Sequence, residues 1–194
     1  MNVSVRTLPL LAALALALPA AAAPKDEVAK PVKTVVQAVR YSKDDMALKH
    51  FATEEQGRLL LGEEWAKGTD TQRAEFTRLF QSLFSKIAFP KVRANFKNLV
   101  SMTYGDAQVE GERAKLGSTI VIEHELKKQE LKVEYTMLKD KGAWKVVDVA
   151  VLGDSMLKGI REEQIQPILA QGGWDNLLKL MREKEAELNK AAKK

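Results

Sequence analysis

The sequence lacks cysteine entirely, and this absence removes a whole group of functions from consideration. Its 194 residues contain no cysteine and only two histidines, His50 and His124. A thiol nucleophile, a disulfide framework, a thiolate zinc site and an acylated lipoprotein cysteine are therefore excluded, and a multi-histidine metal site is not expected. The sequence also has no phosphate-binding glycine loop, no nucleophile elbow and no HExxH motif. We therefore predict no catalytic residue, no metal and no cofactor.

The excess of one charge sign over the other is also small. The chain has 31 basic and 26 acidic residues, a net charge of +5, and the two signs are interleaved, as in Arg161-Glu162-Glu163. A nucleic-acid-binding protein needs a concentrated basic patch, so a solvated mixed surface and no nucleic-acid partner are predicted. The one local excess is Lys91, Arg93 and Lys97, which fits either an ordinary surface or a patch for an anionic head group or a partner.

The long apolar run of the sequence lies at its N-terminus. Residues 8–18 are rich in Leu and Ala, Arg6 precedes them, and the small residues 20–22 follow. This pattern is typical of a cleaved secretory signal, since a membrane span needs about 20 apolar residues. We predict a signal peptide at residues 1–22, one domain at residues 23–194 and, in a bacterium, a periplasmic location. The alternative is an uncleaved N-terminal anchor.

The first half of the remaining chain has helical periodicity. Residues 25–41 and 54–65 each place apolar side chains near one helical face. Thr69 and Gln72 have the spacing of a capping box, which predicts the start of a third helix. This helix should end near Pro90. Its apolar stripe consists of Phe76, Leu79, Phe80, Leu83, Phe84 and Ile87.

From about Asn98 the apolar period changes to two, which predicts strands. The first strand should end at a turn at Gly105-Asp106, and alternating segments follow at residues 120–126 and 131–137. Residues 144–152 are apolar on both faces, which predicts a central strand covered on both sides. The short connections predict an antiparallel meander of three or four strands.

Helical patterns return after the last predicted strand. Ser155 can cap a helix that begins at Met156, Pro167 should interrupt that helix, and a final helix should begin near Trp174. Helices, then a meander of strands, then helices predict the α+β class.

Two functional interpretations stay open at this point. His124 and Asp148 could act as acid and base in a cavity, or His124 could be half-buried while Asp148 ties a strand to a helix. The aromatic stripe could fill a solid core or line a pocket for lipid, because both use the same residue types.

Two motifs resemble those of MlaC-type periplasmic phospholipid-binding proteins, also called the toluene-tolerance auxiliary family. Leu61-Gly62-Glu63-Glu64-Trp65, followed by Thr69, Gln72-Arg73, Phe76 and Phe80, resembles the family pattern LG-x-x-W…T-x-x-Q-R-x-x-F-x-x-x-F. Trp144, Val146, Asp148-Val149, Gly153, Ser155 and Arg161 resemble W-x-V-x-D-V-x-x-x-G-x-S-L-x-x-x-x-R. The signal, the helical first half, the antiparallel strands and the C-terminal helices also occur in the family's order, so the resemblance covers nearly the whole exported chain.

This resemblance implies a fold similar to nuclear transport factor 2 (NTF2-like), with a curved antiparallel sheet of about four strands and helices around an apolar cavity. It implies a monomeric, non-enzymatic carrier whose cargo is phospholipid. The implied partners are an outer-membrane lipoprotein complex and an inner-membrane ABC transporter with its membrane-anchored substrate-binding subunit. The alternatives are an enzyme that uses the cavity of this fold, and a periplasmic adaptor with a solid core.

The resemblance also implies which residues touch lipid and which are architectural. Trp144, Asp148, Gly153, Ser155 and Arg161 are expected to be a packing anchor, a strand-to-helix tie, a turn, a cap and a charge partner. The expected pocket residues are apolar side chains of the third helix, the strands and the helix after them. They are Phe76, Phe80, Phe84, Ile87, Ile120, Ile122, Val133, Tyr135, Met137, Val149, Val151, Met156 and Ile160.

Overall fold

The computed structural model describes residues 25–124 and 127–192. The predicted signal peptide and its cleavage point, and the end of the predicted 120–126 strand, lie outside the described residues. Five helices come first: α1 (Lys25–Arg40), α2 (Asp44–Leu48), α3 (Thr53–Leu61), α4 (Glu64–Lys67) and α5 (Asp70–Phe96). The predicted helical first half is confirmed, and α2 is an addition to it.

Helix α5 begins where the sequence predicts and continues past its predicted end. The Gln72 backbone N–H donates to Thr69 Oγ1 at 3.2 Å, and the Thr69 N–H donates to Gln72 Oε1 at 2.9 Å, so the capping box is formed. The predicted end near Pro90 is wrong, since the helix runs to Phe96. Proline costs a helix about 3 kcal/mol, and the burial of Phe89 and Phe96 on either side of it offsets this cost.

The sheet is the predicted antiparallel meander, in the order β1-β2-β3-β4-β5, and it has five strands where three or four were predicted. Its strands are β1 (Leu99–Glu110), β2 (Arg113–His124), β3 (Lys127–Asp140), β4 (Ala143–Val151) and the two-residue β5 (Asp154–Ser155). The predicted turn at Gly105-Asp106 is wrong. These residues form an irregularity inside β1, where the pairing shifts between Tyr104 and Ala107. The turn comes later at Gly111, whose φ of +60° suits a tight hairpin.

Strand β4 is covered on both faces, as its sequence predicts. A register shift opposite Thr136 and Met137 leaves Val147 as an extra residue, so Val146 and Val147 face different parts of the interior. The segment before α3 protects the other edge of β4. The Val146 N–H donates to the His50 carbonyl at 2.8 Å, and the Ala52 N–H donates to the Val146 carbonyl at 2.9 Å.

The C-terminal helices form one nearly continuous run. It consists of α6 (Met156–Ile160), a π-helical turn (Arg161–Ile165) and α7 (Gln166–Ala191). The predicted interruption at Pro167 is wrong, because this proline lies in the first turn of α7, where a missing N–H is tolerated. The break comes at Gly172-Gly173, where Gly173 has a φ of +61°. The final helical segment then begins at Trp174, as predicted.

The helices and the sheet enclose two hydrophobic clusters. The sheet core packs α1 and the C-terminal half of α5 on one face of the sheet and includes Val32, Phe89, Leu116 and Val146. The helical core packs α3, α4, α6 and α7 around the N-terminal half of α5 and includes Leu60, Phe76, Val147 and Leu177. Helix α5 and strand β4 therefore contribute to both clusters.

Asp148 ties β4 to the first C-terminal helix. Its carboxylate accepts hydrogen bonds from the Ser155 hydroxyl, from the Leu157 N–H at 3.0 Å and from the Val149 N–H at 2.8 Å. Ser155 in turn caps α6 by accepting from the Lys158 N–H at 3.0 Å. The predicted strand-to-helix tie and cap are both confirmed.

We expect the substitution Asp148→Ala to lower the free energy of unfolding by about 2 to 3 kcal/mol, because a part-buried carboxylate with three donors would be lost. Urea unfolding followed by circular dichroism measures this change. Asp154→Ala is the matched control, since Asp154 is an exposed acidic residue of the same turn region. Equal stability of the two variants would contradict the role given to Asp148.

Candidate functional site: an apolar cavity and an adjoining groove

An apolar cavity of about 200 Å³ lies between the sheet and the helices α1 and α5. The polar side chains of its lining are Asn95 and Tyr135, and the others are apolar. The lining residues are Val35, Val36, Val39, Phe51, Phe84, Ala88, Phe89, Val92, Asn95, Phe96, Ile120, Ile122, Leu131, Val133, Tyr135, Val149, Val151 and Met156.

Strand register brings the sheet wall of this cavity together. Side chains alternate between the two faces of a strand, so Val133 and Tyr135 of β3 point to one face. Val133 pairs with Val151 and Tyr135 pairs with Val149 on β4, which extends the wall across two strands. Ile120 pairs with Leu131 on the other side. The period-two pattern of the sequence thus becomes a continuous apolar surface.

A buried polar pair lies at the sheet wall. The hydroxyls of Ser118 and Tyr135 are 3.3 Å apart and hydrogen-bonded, and both side chains are buried. Burial raises the pKa of the Tyr135 hydroxyl, and the Ser118 hydrogen bond opposes this in part. Burial also raises the pKa of the nearby Tyr104, again because its ionised form would lose water. Both groups are therefore neutral hydroxyls at physiological pH.

A groove of about 440 Å³ adjoins the cavity on the other side of α5. It lies between α5, α6 with its π-helical turn, and α7. Its polar side chains are Gln164 and Lys184. Its lining residues are Phe80, Leu83, Phe84, Ile87, Ala88, Met156, Ile160, Gln164, Ile165, Ile168, Leu177, Leu180, Met181 and Lys184.

The structure brings eleven of the thirteen sequence-predicted pocket residues to one of these two spaces. The cavity has Phe84, Ile120, Ile122, Val133, Tyr135, Val149, Val151 and Met156 in its lining, and the groove adds Phe80, Ile87 and Ile160. Whether they contact lipid stays a prediction.

Phe76 and Met137 are placed differently from the prediction and line neither space. Phe76 packs in the helical core, with ring centroids 6.3 Å from Trp65, 6.1 Å from Trp174 and 6.0 Å from Phe80. Met137 lies fully buried in the sheet core, between its strand partners Ala114 and Val146. A helical or strand period in the sequence predicts that a side chain faces the interior of the protein. It does not predict whether that part of the interior is packed or contains a cavity.

The α1 wall of the cavity was not predicted from the sequence. Val35, Val36 and Val39 line it, and all three belong to the apolar face of α1. That face was visible as a helical repeat of valines in residues 25–41, but nothing in the sequence says which helix covers which part of a sheet. Val92 and Phe96 were missed because α5 was expected to end near Pro90, and Phe89 lies outside the apolar stripe predicted for this helix.

The alternative acid–base pair is not formed. His124 pairs with Lys127 at one end of β2, whereas Asp148 lies beside Thr136, which pairs with Lys115. His124 and Lys115 are nine residues apart on β2, so the backbone positions of His124 and Asp148 are about 30 Å apart along the strand. The carboxylate of Asp148 is instead occupied by the tie to α6.

The local basic excess near the end of α5 is partly used by the fold. Arg93 donates to Asp44 at 2.6 Å and to the Val39 carbonyl at 3.4 Å, which connects α5 to α1 and α2. Lys91 and Lys97 are exposed. A basic patch that uses all three residues to bind an anion is therefore not formed, because Arg93 is already paired.

Within the described ranges, 25–124 and 127–192, no cluster of three or more His, Cys, Asp or Glu could hold a metal ion. Within the same part of the chain, no helix combines the length and the apolar character needed to cross a membrane.

Comparison with known proteins gives a family assignment. The family model described as "MlaC protein" matches residues 26–183. This chain belongs to the MlaC protein family. A search of curated proteins gave no significant match.

One solved structure shares the fold of this chain, and two others are less similar. A phospholipid-binding protein from Ralstonia solanacearum, solved in complex with a phospholipid, is 17% identical, with a TM-score of 0.68 over 85% of this chain and 98% of that chain. A chain whose designation contains NTF2 is 12% identical, with a TM-score of 0.39 over 65% of this chain and 96% of that one. A SEC-C motif protein from Rhodopseudomonas palustris is 9% identical, with a TM-score of 0.36 over 64% and 89%. The first likeness shows a shared fold.

The first MlaC-type motif of this chain builds the helical core. Arg73 donates to the carbonyls of Gly68 at 2.7 Å and Trp65 at 3.2 Å, so the motif's arginine holds the loop that carries its tryptophan. Trp174 of α7 donates to the Glu64 carbonyl at 2.9 Å. A Cβ atom at Gly68 would lie 2.5 Å from the Trp174 ring, so this position requires glycine.

The two MlaC-type motifs meet at Gly62 and Arg161. A Cβ atom at Gly62 would lie 2.8 Å from an Arg161 guanidinium nitrogen, and Gly62 has a φ of +58°. Arg161 was expected to be a charge partner. Among the ion pairs of the described residues, none includes Arg161, so packing over Gly62 replaces the expected role.

The buried hydroxyl of Tyr135 predicts a pH-dependent stability. A tyrosine whose pKa is raised by folding stabilises the folded state below the unfolded pKa of about 10, and this contribution is lost as pH rises through the folded pKa. We expect the free energy of unfolding to fall between about pH 9 and about pH 11, and to fall less steeply in Tyr135→Phe. Urea unfolding at both pH values measures the two slopes, and equal slopes would contradict the prediction.

Proposed function

We propose that this chain is a periplasmic phospholipid carrier that holds acyl chains in the apolar cavity and exchanges lipid between an outer-membrane lipoprotein complex and an inner-membrane ABC transporter. The observation that carries the proposal is the apolar cavity between the sheet and α1 and α5, in a chain of the MlaC family. The shared fold with a protein solved in complex with a phospholipid supports it. The signal-like residues 1–22 support a periplasmic location.

The physical need for such a carrier follows from the cost of exposing hydrocarbon to water. An acyl chain of about 16 carbons, at about 0.8 kcal/mol per CH₂, costs on the order of 13 kcal/mol to expose. Unassisted transfer between two membranes is therefore slow. A cavity with an apolar lining takes the place of the bilayer interior during the crossing.

The cavity chemistry favours binding over catalysis. Among the described residues, its lining has no carboxylate, imidazole or amine, and its one titratable group, the Tyr135 hydroxyl, is neutral and paired with Ser118. Acid–base catalysis needs a group whose pKa lies near the working pH. An enzyme on the same fold is therefore less well supported than a carrier. The presence of a cavity is also inconsistent with an adaptor whose core is solid.

No nucleotide or covalent step is required of the carrier. Exchange with two membranes is reversible when cavity and bilayer solvate the acyl chain about equally well. In the proposed pathway, direction comes from the ATPase of the inner-membrane partner.

We expect Val149→Arg, placed in the cavity wall, to reduce co-purified phospholipid at least about tenfold, because a charged group in the apolar lining disfavours an acyl chain. Val151→Arg lies at the exposed rim of the same cavity, so it should reduce lipid without the cost of burying the charge. Mass spectrometry of an organic extract of the purified protein measures the lipid.

Val100→Arg is the matched control, since Val100 is an exposed valine of β1 outside the cavity lining. Circular dichroism and thermal unfolding check that each variant is folded. A folded Val149→Arg or Val151→Arg protein with wild-type lipid content would show that this cavity is not the lipid site.

A further inference from the structure

The two-residue turn between β4 and β5 carries an apolar residue where the turn geometry favours a polar one. Val151 pairs with Asp154 across the turn. The loop between them consists of Leu152, with a φ of +54°, and Gly153, with a φ of +95°. Positive φ at both loop residues is the signature of a type I′ turn, whose first position prefers Asn, Asp or Gly. Leucine is unfavourable there, because its Cβ atom crowds the backbone in the left-handed region.

The packing of Leu152 does not offset this unfavourable conformation. Leu152 is 65% exposed and belongs to neither hydrophobic cluster. The turn between β3 and β4 also has positive φ at both loop residues, Lys141 and Gly142, and its first residue is polar. Within the described ranges, the other non-glycine residues with positive φ are Lys141 and Ser42, both polar. An exposed leucine in this conformation is a local conflict of the kind that proteins retain at functional positions.

The place of this turn in the meander connects it to the cavity. Successive turns of an antiparallel meander alternate between the two ends of the sheet, so the β4–β5 turn lies opposite the β3–β4 turn. The cavity lies toward the end that carries Leu152, because Leu131 lines it whereas Met137, further along β3, is packed in the sheet core. Val151, which precedes Leu152, lines the cavity and is 39% exposed. Leu152 therefore lies at the rim of the proposed lipid site.

The side chains around this turn fit a bilayer surface better than a protein partner. Leu152 and the exposed Lys132 line the same depression on the outer face of the sheet, and the Leu152 N–H donates to the Lys132 carbonyl at 2.9 Å. Residues that dominate binding between proteins are enriched in Trp, Tyr and Arg, and leucine is under-represented among them. Leucine instead enters hydrocarbon favourably, and lysine can pack its apolar stem there while its charge stays among the head groups.

We propose that the Leu152 tip, the loop Leu152-Gly153, inserts into the surface of a phospholipid bilayer and brings the rim of the cavity against it. The inference rests on the proposed carrier function and adds a membrane-contact surface to it. One leucine beside one lysine gives weak and reversible binding, because even a whole acyl chain anchors a protein only marginally. Weak binding suits a carrier that has to leave the membrane again.

The first test exchanges the leucine for a residue that the turn prefers. Leu152→Asn should lower association with vesicles of phosphatidylethanolamine and phosphatidylglycerol about tenfold, the loss expected when one exposed leucine no longer leaves water. It should keep or raise the thermal unfolding temperature, because asparagine favours a type I′ turn. Vesicle flotation and circular dichroism of the full exported chain measure the two quantities.

Leu59→Asn is the matched control, because it makes the same exchange at an exposed leucine of α3 that lines neither the cavity nor the groove. It should associate with vesicles as the wild type does. Wild-type association of Leu152→Asn, an equal loss in Leu59→Asn, or a wild-type protein that does not bind vesicles would each overturn the proposal. A lower unfolding temperature of Leu152→Asn would also overturn it, because the leucine would then serve the fold.

Two further readouts separate the tip from protein docking and from the carrier function. Unchanged vesicle association of Leu152→Asn, with slower lipid delivery only to vesicles that carry the inner-membrane complex, would overturn the proposal and identify a protein-docking surface. Leu152→Asn should retain the wild-type amount of co-purified phospholipid, measured by mass spectrometry. A wild-type protein that carries no phospholipid would overturn the carrier function, on which the proposal rests.

The second test places a fluorescent side chain at the tip. Leu152→Trp should shift its emission to shorter wavelengths when the same vesicles are added, because the indole ring leaves water, and brominated acyl chains should quench it. The three native tryptophans, Trp65, Trp144 and Trp174, are buried, so the wild-type emission is the baseline and should not shift. An unshifted and unquenched emission of Leu152→Trp would overturn the insertion of the tip.

Discussion

The structure depends on one constraint: α5 has to pack into two hydrophobic clusters along its length. Its N-terminal half is fixed in the helical core by Phe76, which packs between Trp65 and Trp174. Its C-terminal half covers the sheet, and Arg93 connects it there to Asp44. Because the first half is packed tightly, the second half is held over the sheet without having to fill the space below it. A cavity between helix and sheet is compatible with a stable fold only under such a condition.

The energetic scale of the cavity makes this support necessary. An unfilled apolar volume costs about 24 cal/mol per Å³, so a cavity of about 200 Å³ corresponds to about 5 kcal/mol. The total stability of a domain is about 5 to 15 kcal/mol, so this cost is a large part of it. The helical core and the Asp148 tie supply stability that the cavity region does not. An acyl chain in the cavity would recover part of the cost, which links lipid binding to the stability of the carrier.

The sequence predicted the elements of the fold better than their ends. The capping box at Thr69 and the alternation in β2 and β3 are local signals, and local physics decides them. The predictions at Pro90 and at Gly105-Asp106 were wrong for two different reasons. Tertiary packing stabilises α5 beyond a residue that usually ends a helix. An irregularity within β1 accommodates two residues that usually form a turn. The site was predictable to the extent that inward-facing residues are periodic. Phe76 and Met137 have the same periodicity as Phe84 and Val133, and only packing in three dimensions separates a filled region from a hollow one.

A carrier must bind its cargo without holding it permanently, and an apolar cavity offers a physical basis for this balance. In the proposed carrier, cavity and bilayer both keep the acyl chain out of water, so most of the hydrophobic free energy cancels when the chain moves from one to the other. What remains is the cost of the empty cavity, which an entering chain removes and a departing chain restores. Release to a membrane therefore depends on this smaller cost and not on the full cost of exposing hydrocarbon to water.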